Sequence, residues 1–253
     1  MRLALLLALA AACGAPQPPK APQPEVKARV VVEISALAEW KALAPLLPPG
    51  LASHDGPYGA WLVHRVGDED VVFFHGGYTK SSAAGATQWA IDRFHPELIV
   101  NLGTCGGFGG ERKPNDIVLV DETIIYDIYE RMSDADEAID DFRVKLDAAR
   151  WPAHLRDRVI VGPIVSGDRD LHPGDLAKLR DKYRATVGDW ESGSIAWVAS
   201  RNRVRVVILR GVTDTVDGDG SVTDGNPGAW ERATAGVMKT LLALFADALP
   251  HLR

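Results

Sequence analysis

Two carboxylates separated by a helix-length stretch offer the clearest chemistry in this sequence. They lie in RATVGDWESGSIAWVASRNRVRVVILRGVTDTVDG, Arg184 to Gly218. Ala185 to Trp190 reads as extended, Ser192 to Ser200 has helical spacing, and Val204 to Leu209 is an almost continuous apolar run. Such a strand, crossover helix and strand unit predicts parallel strands joined right-handedly. Glu191 and Asp214 then each fall just past a strand's carboxyl end on one edge of the sheet, where open α/β sheets bind ligands. Like charges gathered in a cleft cost free energy unless a substrate uses them, so the pair points to acid–base work. The same residues also suit plainer tasks, Glu191 as a first-turn acid of its helix and Asp214 as a turn former between Thr213 and Thr215.

Three further loops carry chemistry at predicted strand ends. Glu39 sits in the first turn of a helix that follows the β-branched run Arg29 to Ser35; alone, it reads as a solvated acid favoured by the helix dipole. Leu98 to Leu102 reads as a strand leading into a glycine-rich loop, Gly103 to Gly110, whose backbone a ligand can approach closely. Its spacing does not fit G-x-G-x-x-G, and the following ERKPND opens no apolar helix, so no dinucleotide cofactor is assigned. The polar loop SGDRDL, Ser166 to Leu171, follows a strand from Arg158 to Val165.

The elements that must position these loops alternate along the chain. Tyr58 to Val66 and Asp70 to His75 pattern as a hairpin, Lys80 to Phe94 as a helix stopped by Pro96, and Asp116 to Val120 as a strand. TIIYDIYERM reads as a strand leading into a lid, Ala135 to Ala149 as an acidic amphipathic helix, Pro173 to Tyr183 as a short helix, and Gly228 to Leu249 as a long one. This order predicts a three-layer α/β/α sandwich with a central mixed sheet.

Composition narrows the function classes. A net charge of -6 with no window concentrating Lys and Arg argues against nucleic acid and against anionic membrane surfaces. Two cysteines, Cys13 and Cys105, supply no disulfide framework, and none of the seven histidines has a partner at helical metal spacing, so no metal is assigned. Residues 1–12, MRLALLLALAAA, read as a secretory signal. The segment also resembles a bacterial lipoprotein signal, which would place lipid on Cys13 and the folded part in the cell envelope, either anchored or, with plain secretion, periplasmic or secreted. Residues 13–28 hold five prolines between Gly14 and Lys27 and read as an extended spacer. Residues 29–253 form one domain.

The order of these loops and three motifs, NLGTCGG (Asn101 to Gly107), IVSGD (Ile164 to Asp168) and GDWESGSIAWVASRNRVRVVILRGVTD (Gly188 to Asp214), resembles the nucleoside phosphorylase superfamily. The resemblance is closest to the 5'-methylthioadenosine/S-adenosylhomocysteine nucleosidases and covers about Arg29 to Arg253. It implies cleavage of the N-glycosidic bond of a purine nucleoside, without a cofactor, by a homodimer. Asp214 would protonate N7 of the base, Glu191 would bind the ribose hydroxyls, and Glu39 would activate water. Thr104 and Gly106 would line the ribose and Leu171 would offer its backbone to the base edge. Asp170 stands where the family keeps a base-stacking aromatic, while Asp189 and Trp190 stand for the first acid and the methionine of its V-E-M-E segment. Trp190 would then supply the stacking surface, with Trp230 covering the site from the last helix. Phosphorylases of the superfamily hold phosphate with an arginine just before the glycine loop. Here Asn101 and Leu102 precede it, which favours water, because a desolvated dianion needs paired cations. A phosphate-dependent phosphorylase and a non-catalytic nucleoside-binding lipoprotein of the same fold are the alternatives.

Overall fold

The computed structural model of the chain describes residues 24–221 and 223–252. The signal segment and Cys13 lie outside the described residues, as does most of the proline-rich spacer. Packing begins slightly before Arg29: Ala28 is buried and its N–H donates to Phe94 O at 3.1 Å.

The strands are β1 (Val30–Ile34), β2 (Ser53–Asp55), β3 (Ala60–Val66), β4 (Glu69–His75), β5 (Leu98–Phe108), β6 (Ile117–Ile125), β7 (Val144–Lys145), β8 (Ile160–Ser166), β9 (Val187–Asp189), β10 (Arg205–Asp217) and β11 (Gly220–Ser221). The helices are α1 (Leu37–Leu43), α2 (Lys80–Phe94), α3 (Ala135–Asp140), α4 (Pro173–Tyr183), α5 (Ser192–Arg201) and α6 (Pro227–Ala248). All strands join one mixed sheet in the order β11-β10-β6-β8-β9-β5-β1-β4-β3-β2, with β7 beside β6. A second pairing, β10 with β5, closes β5, β10, β6, β8 and β9 into a ring. β1 is buried along its whole length because parallel strands lie on both sides and helices cover both faces. α1 and α6 pack together on one face, where Leu43, Val237, Leu241 and Phe245 meet Val32 and Ile34. α2 and α5 pack on the other, with Ala83, Ile91, Ile195 and Ala199 against Ile99. This is the expected three-layer α/β/α architecture.

Several expectations change. The predicted glycine loop is strand through Phe108, and β10 runs to Asp217 rather than ending near Leu209. The glycines mark close approach instead of a bend: a Cβ on Gly103 would lie 1.9 Å from Arg210 Nη1 and 3.0 Å from Glu39 Oε1. The two strands flanking α5 are not parallel. β9 runs antiparallel to β5, which is parallel to β10, so β9 and β10 point in opposite directions. TIIYDIYERM does not begin a new strand; its first three residues complete β6 after a register shift between Val120 and Glu122. The acidic helix stops at Asp140. Tertiary contacts outweigh its propensity there: Trp197 Nε1 donates to Asp141 O at 3.2 Å, Phe142 stacks on Trp197, and Val144–Lys145 pair with β6.

Glu33 places a carboxyl group in the core. It is fully buried on β1, its Oε2 accepts from Thr87 Oγ1 at 2.9 Å, and its Oε1 has no partner. Burial pushes the carboxyl from an ordinary 4.5 to about 8, against the opposing pulls of Thr87 and Arg210. The folded chain therefore keeps a proton that the unfolded chain releases, and this residue's contribution falls as pH rises from about 4.5 to about 8. In urea unfolding, Glu33→Gln is expected to gain stability over the parent across that window, by at most about 1.4 kcal/mol per pH unit. A difference that stays flat with pH would contradict the burial of a protonated Glu33.

Candidate active site

A cavity of about 790 Å³ opens where α1, β5, β9, β10 and the start of α6 converge. Glu39, Thr104, Gly106, Asp170, Leu171, Asp189, Trp190, Glu191, Asp214 and Trp230 all line it, together with Tyr78, Ser221 and Thr223. The route by which Glu191 and Asp214 meet differs from the expectation. In register, Asp214 and Gly188 both flank Gly106, from a parallel and an antiparallel neighbour. β9 delivers Glu191 while running against β10, and Asp214 is reached within the long β10 rather than past its end.

Glu39 is placed by the end of β1 and the start of α1. As the third residue of the helix it reaches back, Oε2 accepting from Ala36 N at 3.0 Å. Its Oε1 accepts from Thr104 N at 2.5 Å and Thr104 Oγ1 at 2.8 Å. It is buried, not a solvated acid.

Beneath the cavity lies Arg210, fully buried and the main counter-charge of the site. Its Nη2 is 2.8 Å from Asp189 Oδ2, 3.7 Å from Glu191 Oε2 and 2.7 Å from Asn101 Oδ1, and its Nε donates to Ser192 Oγ at 2.9 Å. Asp189 also accepts from Ser166 Oγ at 2.6 Å and from Ser192 Oγ at 2.5 Å. Its carboxylate is thus committed to the scaffold, although the residue borders the cavity. Among the described residues Glu191 accepts only a long bond from Thr79 N, 3.4 Å, and it faces the cavity. Burial pushes its carboxyl up to about 8; Arg210 opposes the rise, and Asp189 and Glu39 add to it.

Asp214 is surrounded by hydroxyls. Oδ1 accepts from Thr213 Oγ1 at 2.7 Å, and Oδ2 from Thr223 Oγ1 at 2.9 Å and from Ser221 Oγ. The latter two come from the β10–β11 hairpin and the turn after it, which bring a small polar cap over the acid. Cys105 borders the cavity too, but burial pushes its thiol up, away from the reactive thiolate. Asp170 is exposed on the cavity lining, next to Leu171, whose side chain packs on Gly106 and Gly188. Trp190 lies 6.1 Å from the exposed Tyr78 ring, and Trp230 closes the side formed by α6.

A sequence-family model described as Phosphorylase superfamily matches residues 33–246, which include every one of these side chains. The chain belongs to the phosphorylase superfamily. Among curated relatives, a 5'-methylthioadenosine/S-adenosylhomocysteine nucleosidase of Maridesulfovibrio salexigens is 26% identical over 205 residues, 75% of this chain and 88% of the relative. One of Geobacillus sp. is 27% identical over 172 residues, 63% of this chain and 74% of the relative. Among solved structures, a 5'-methylthioadenosine nucleosidase of Arabidopsis thaliana superposes with a TM-score of 0.74 at 24% identity, covering 88% of this chain and 96% of that one. An S-adenosylhomocysteine nucleosidase of Streptococcus pyogenes, in complex with 5-methylthiotubericidin, gives 0.73 at 16% identity, covering 90% and 98%.

In this member of the superfamily the acids stand out in the sequence, but the groups that hold them do not. Arg210 was legible as a lone charge inside the apolar run Val206 to Val212. Tyr78 and Thr79 follow a Gly-Gly pair that reads only as a turn, and Ser221 and Thr223 sit in a polar stretch with no spacing signal. Arg210→Met would leave Asp189 buried without its cation. We expect a loss of about 3–5 kcal/mol in chemical unfolding, the usual result of breaking one side of a buried pair; a loss below about 1 kcal/mol would contradict the assigned burial.

Proposed function

We propose that this chain is a nucleosidase that hydrolyses the N-glycosidic bond of purine nucleosides of the 5'-methylthioadenosine and S-adenosylhomocysteine type. The observation that carries the reading is the convergence of Glu39, Glu191 and Asp214, from three distant stretches, on one cavity. The activity named for the curated relatives supports it.

Breaking the C1'–N9 bond sends its electron pair to the base and leaves positive charge on the sugar, so the reaction calls for an acid at the base and a carboxylate at the sugar. Asp214 gives its proton to N7, and the base leaves neutral. Glu191 in its ionised form, which Arg210 favours against the effect of burial, binds the ribose hydroxyls and stabilises the oxocarbenium-like centre. Glu39 takes a proton from the water that attacks C1'. The products are free base and pentose; solvent exchange then returns a proton to Asp214 and removes one from Glu39. Asp214 Oδ2 already accepts two hydroxyls, so an incoming base must share or displace Ser221 or Thr223. Trp190 and Trp230 supply the apolar surface for the base, with the Leu171 backbone at its edge and Thr104 and Gly106 along the ribose. Asp189 serves the site through Arg210, and Asp170, exposed on the cavity lining, offers a polar group to the base.

Water is favoured over phosphate because Arg210, the buried cation nearest the site, is already committed to Asp189, Glu191 and Asn101. The signal-like residues 1–12 and Cys13 support export to the cell envelope and lipid attachment, and the family resemblance supports a homodimer.

Asp214→Asn is expected to abolish base release while nucleoside affinity stays within about tenfold, 1.4 kcal/mol. Equal residual turnover in parent and variant would instead favour a binding protein. Turnover should be indifferent to added phosphate, whereas a phosphate requirement would mark a phosphorylase. In the free enzyme, kcat/KM should rise with pH through about 8 as Glu191 ionises; a profile that falls across that range would remove Glu191 from the role given it.

A further inference from the structure

The turn joining β4 to α2 is braced far more heavily than a connecting loop needs. Thr79 sits at φ 78° and ψ 157°, a region that residues with a Cβ rarely occupy, and its hydroxyl does not cap the helix it precedes. The next residue fixes the turn at two points. Lys80 N donates to Asp168 Oδ1 at 2.7 Å, and Lys80 Nζ pairs with Asp127 Oδ1 and lies 3.9 Å from Asp168 Oδ2. Asp168 N in turn donates to Asp127 Oδ2 at 2.9 Å. Three chain segments, after β4, β6 and β8, are thereby tied together beside the cavity. The strained residue accepts from Ala83 N at 3.0 Å at the start of α2 and aims its own N–H at Glu191 Oε1, 3.4 Å away. Its neighbour Tyr78 meanwhile lines the cavity beside Trp190.

We propose that Lys80, Asp127 and Asp168 form a clamp that positions Glu191 by holding the Thr79 backbone N–H against it, an inference that rests on Glu191 being the carboxylate that binds the sugar. These are positioning residues, because none of them touches the proposed substrate. Backbone strain at a cavity wall persists only where surrounding contacts over-determine it, and this clamp supplies those contacts. The Thr79 amide is a donor that favours ionised Glu191. The other groups facing Glu191 are Arg210 from β10, Asp189 from β9 and Glu39 from α1.

The clamp and simple electrostatics predict opposite signs, which makes it testable. Removing the negative charge of Asp127 would by charge alone favour ionised Glu191 and lower its titration midpoint. Releasing the turn withdraws the amide and raises the midpoint. The experiment follows the carbon-13 carboxyl signal of Glu191 in the full domain, assigned by its loss in Glu191→Gln. We expect Asp127→Ala to move the midpoint up by about half a pH unit, less than a full hydrogen bond to a charged group because the Thr79 contact is long. Asp168→Ala, at an exposed residue that the fold tolerates, should move it the same way if Asp127→Ala does not fold. Thr79→Gly keeps the amide and relieves the strain, so it should leave the midpoint in place and raise the melting temperature. Arg65→Met, which breaks an exposed pair with Asp70, is the control. A midpoint that stays or falls in the Asp127 and Asp168 variants overturns the clamp. The pH profile of kcat/KM is read separately. If Glu191→Gln keeps full turnover, the nucleosidase reading falls, while the carboxyl titration still decides the clamp.

Discussion

The buried guanidinium of Arg210 is the interaction on which the site depends. Four buried carboxylates border the cavity, Glu39, Asp189, Glu191 and Asp214, and unpaired charges at that depth would be driven neutral or out of the fold. Arg210 resolves this by ion-pairing Asp189 Oδ2 directly and standing 3.7 Å from Glu191, while Ser192 Oγ donates to the same Asp189 oxygen and Ser166 Oγ to the other. The planar, permanently charged fork of arginine suits the task, since it reaches Asp189, Asn101 and Ser192 at once. Asp189 then anchors the start of α5, and Glu191 is presented to the cavity two residues later.

This arrangement explains the sheet around it. Arg210 lies opposite Gly103 on β5, and only a residue without a side chain leaves room for the guanidinium and Glu39 together. The extended β5 and β10, paired as far as Phe108 and Val216 with a register shift between Val212 and Asp214, form the wall that carries Thr104, Gly106 and Asp214. β9 closes the ring from the other side in the opposite direction, so its short length decides where Glu191 emerges. Catalytic geometry and ring closure are therefore one constraint.

Much of this was legible in the sequence, for physical reasons. β1 shows as a β-branched run, and α2, α4 and α6 as helix-spaced segments bounded by proline, and all four declared themselves to within a few residues. The acids Glu39, Glu191 and Asp214 stood in loops whose order matched a known pattern. What failed were inferences needing partners distant in sequence. Gly103 to Phe108 looked like a loop because glycine's role there, making room for Arg210 and Leu171, depends on other strands. The antiparallel course of β9 cannot be read from a strand–helix–strand pattern that normally gives parallel pairs. The helix after Asp134 was cut short by Trp197 and β6, which lie far away in sequence. Thr79 shows the same limit, since its strain is sustained by Asp127 and Asp168.

The central claim is that these carboxylates direct water to the anomeric carbon of a nucleoside. Running the reaction in oxygen-18 water and weighing the released sugar tests it most directly. The account predicts one labelled oxygen in the free pentose and none in the base. Release of a sugar phosphate, or of an unlabelled sugar, would contradict it.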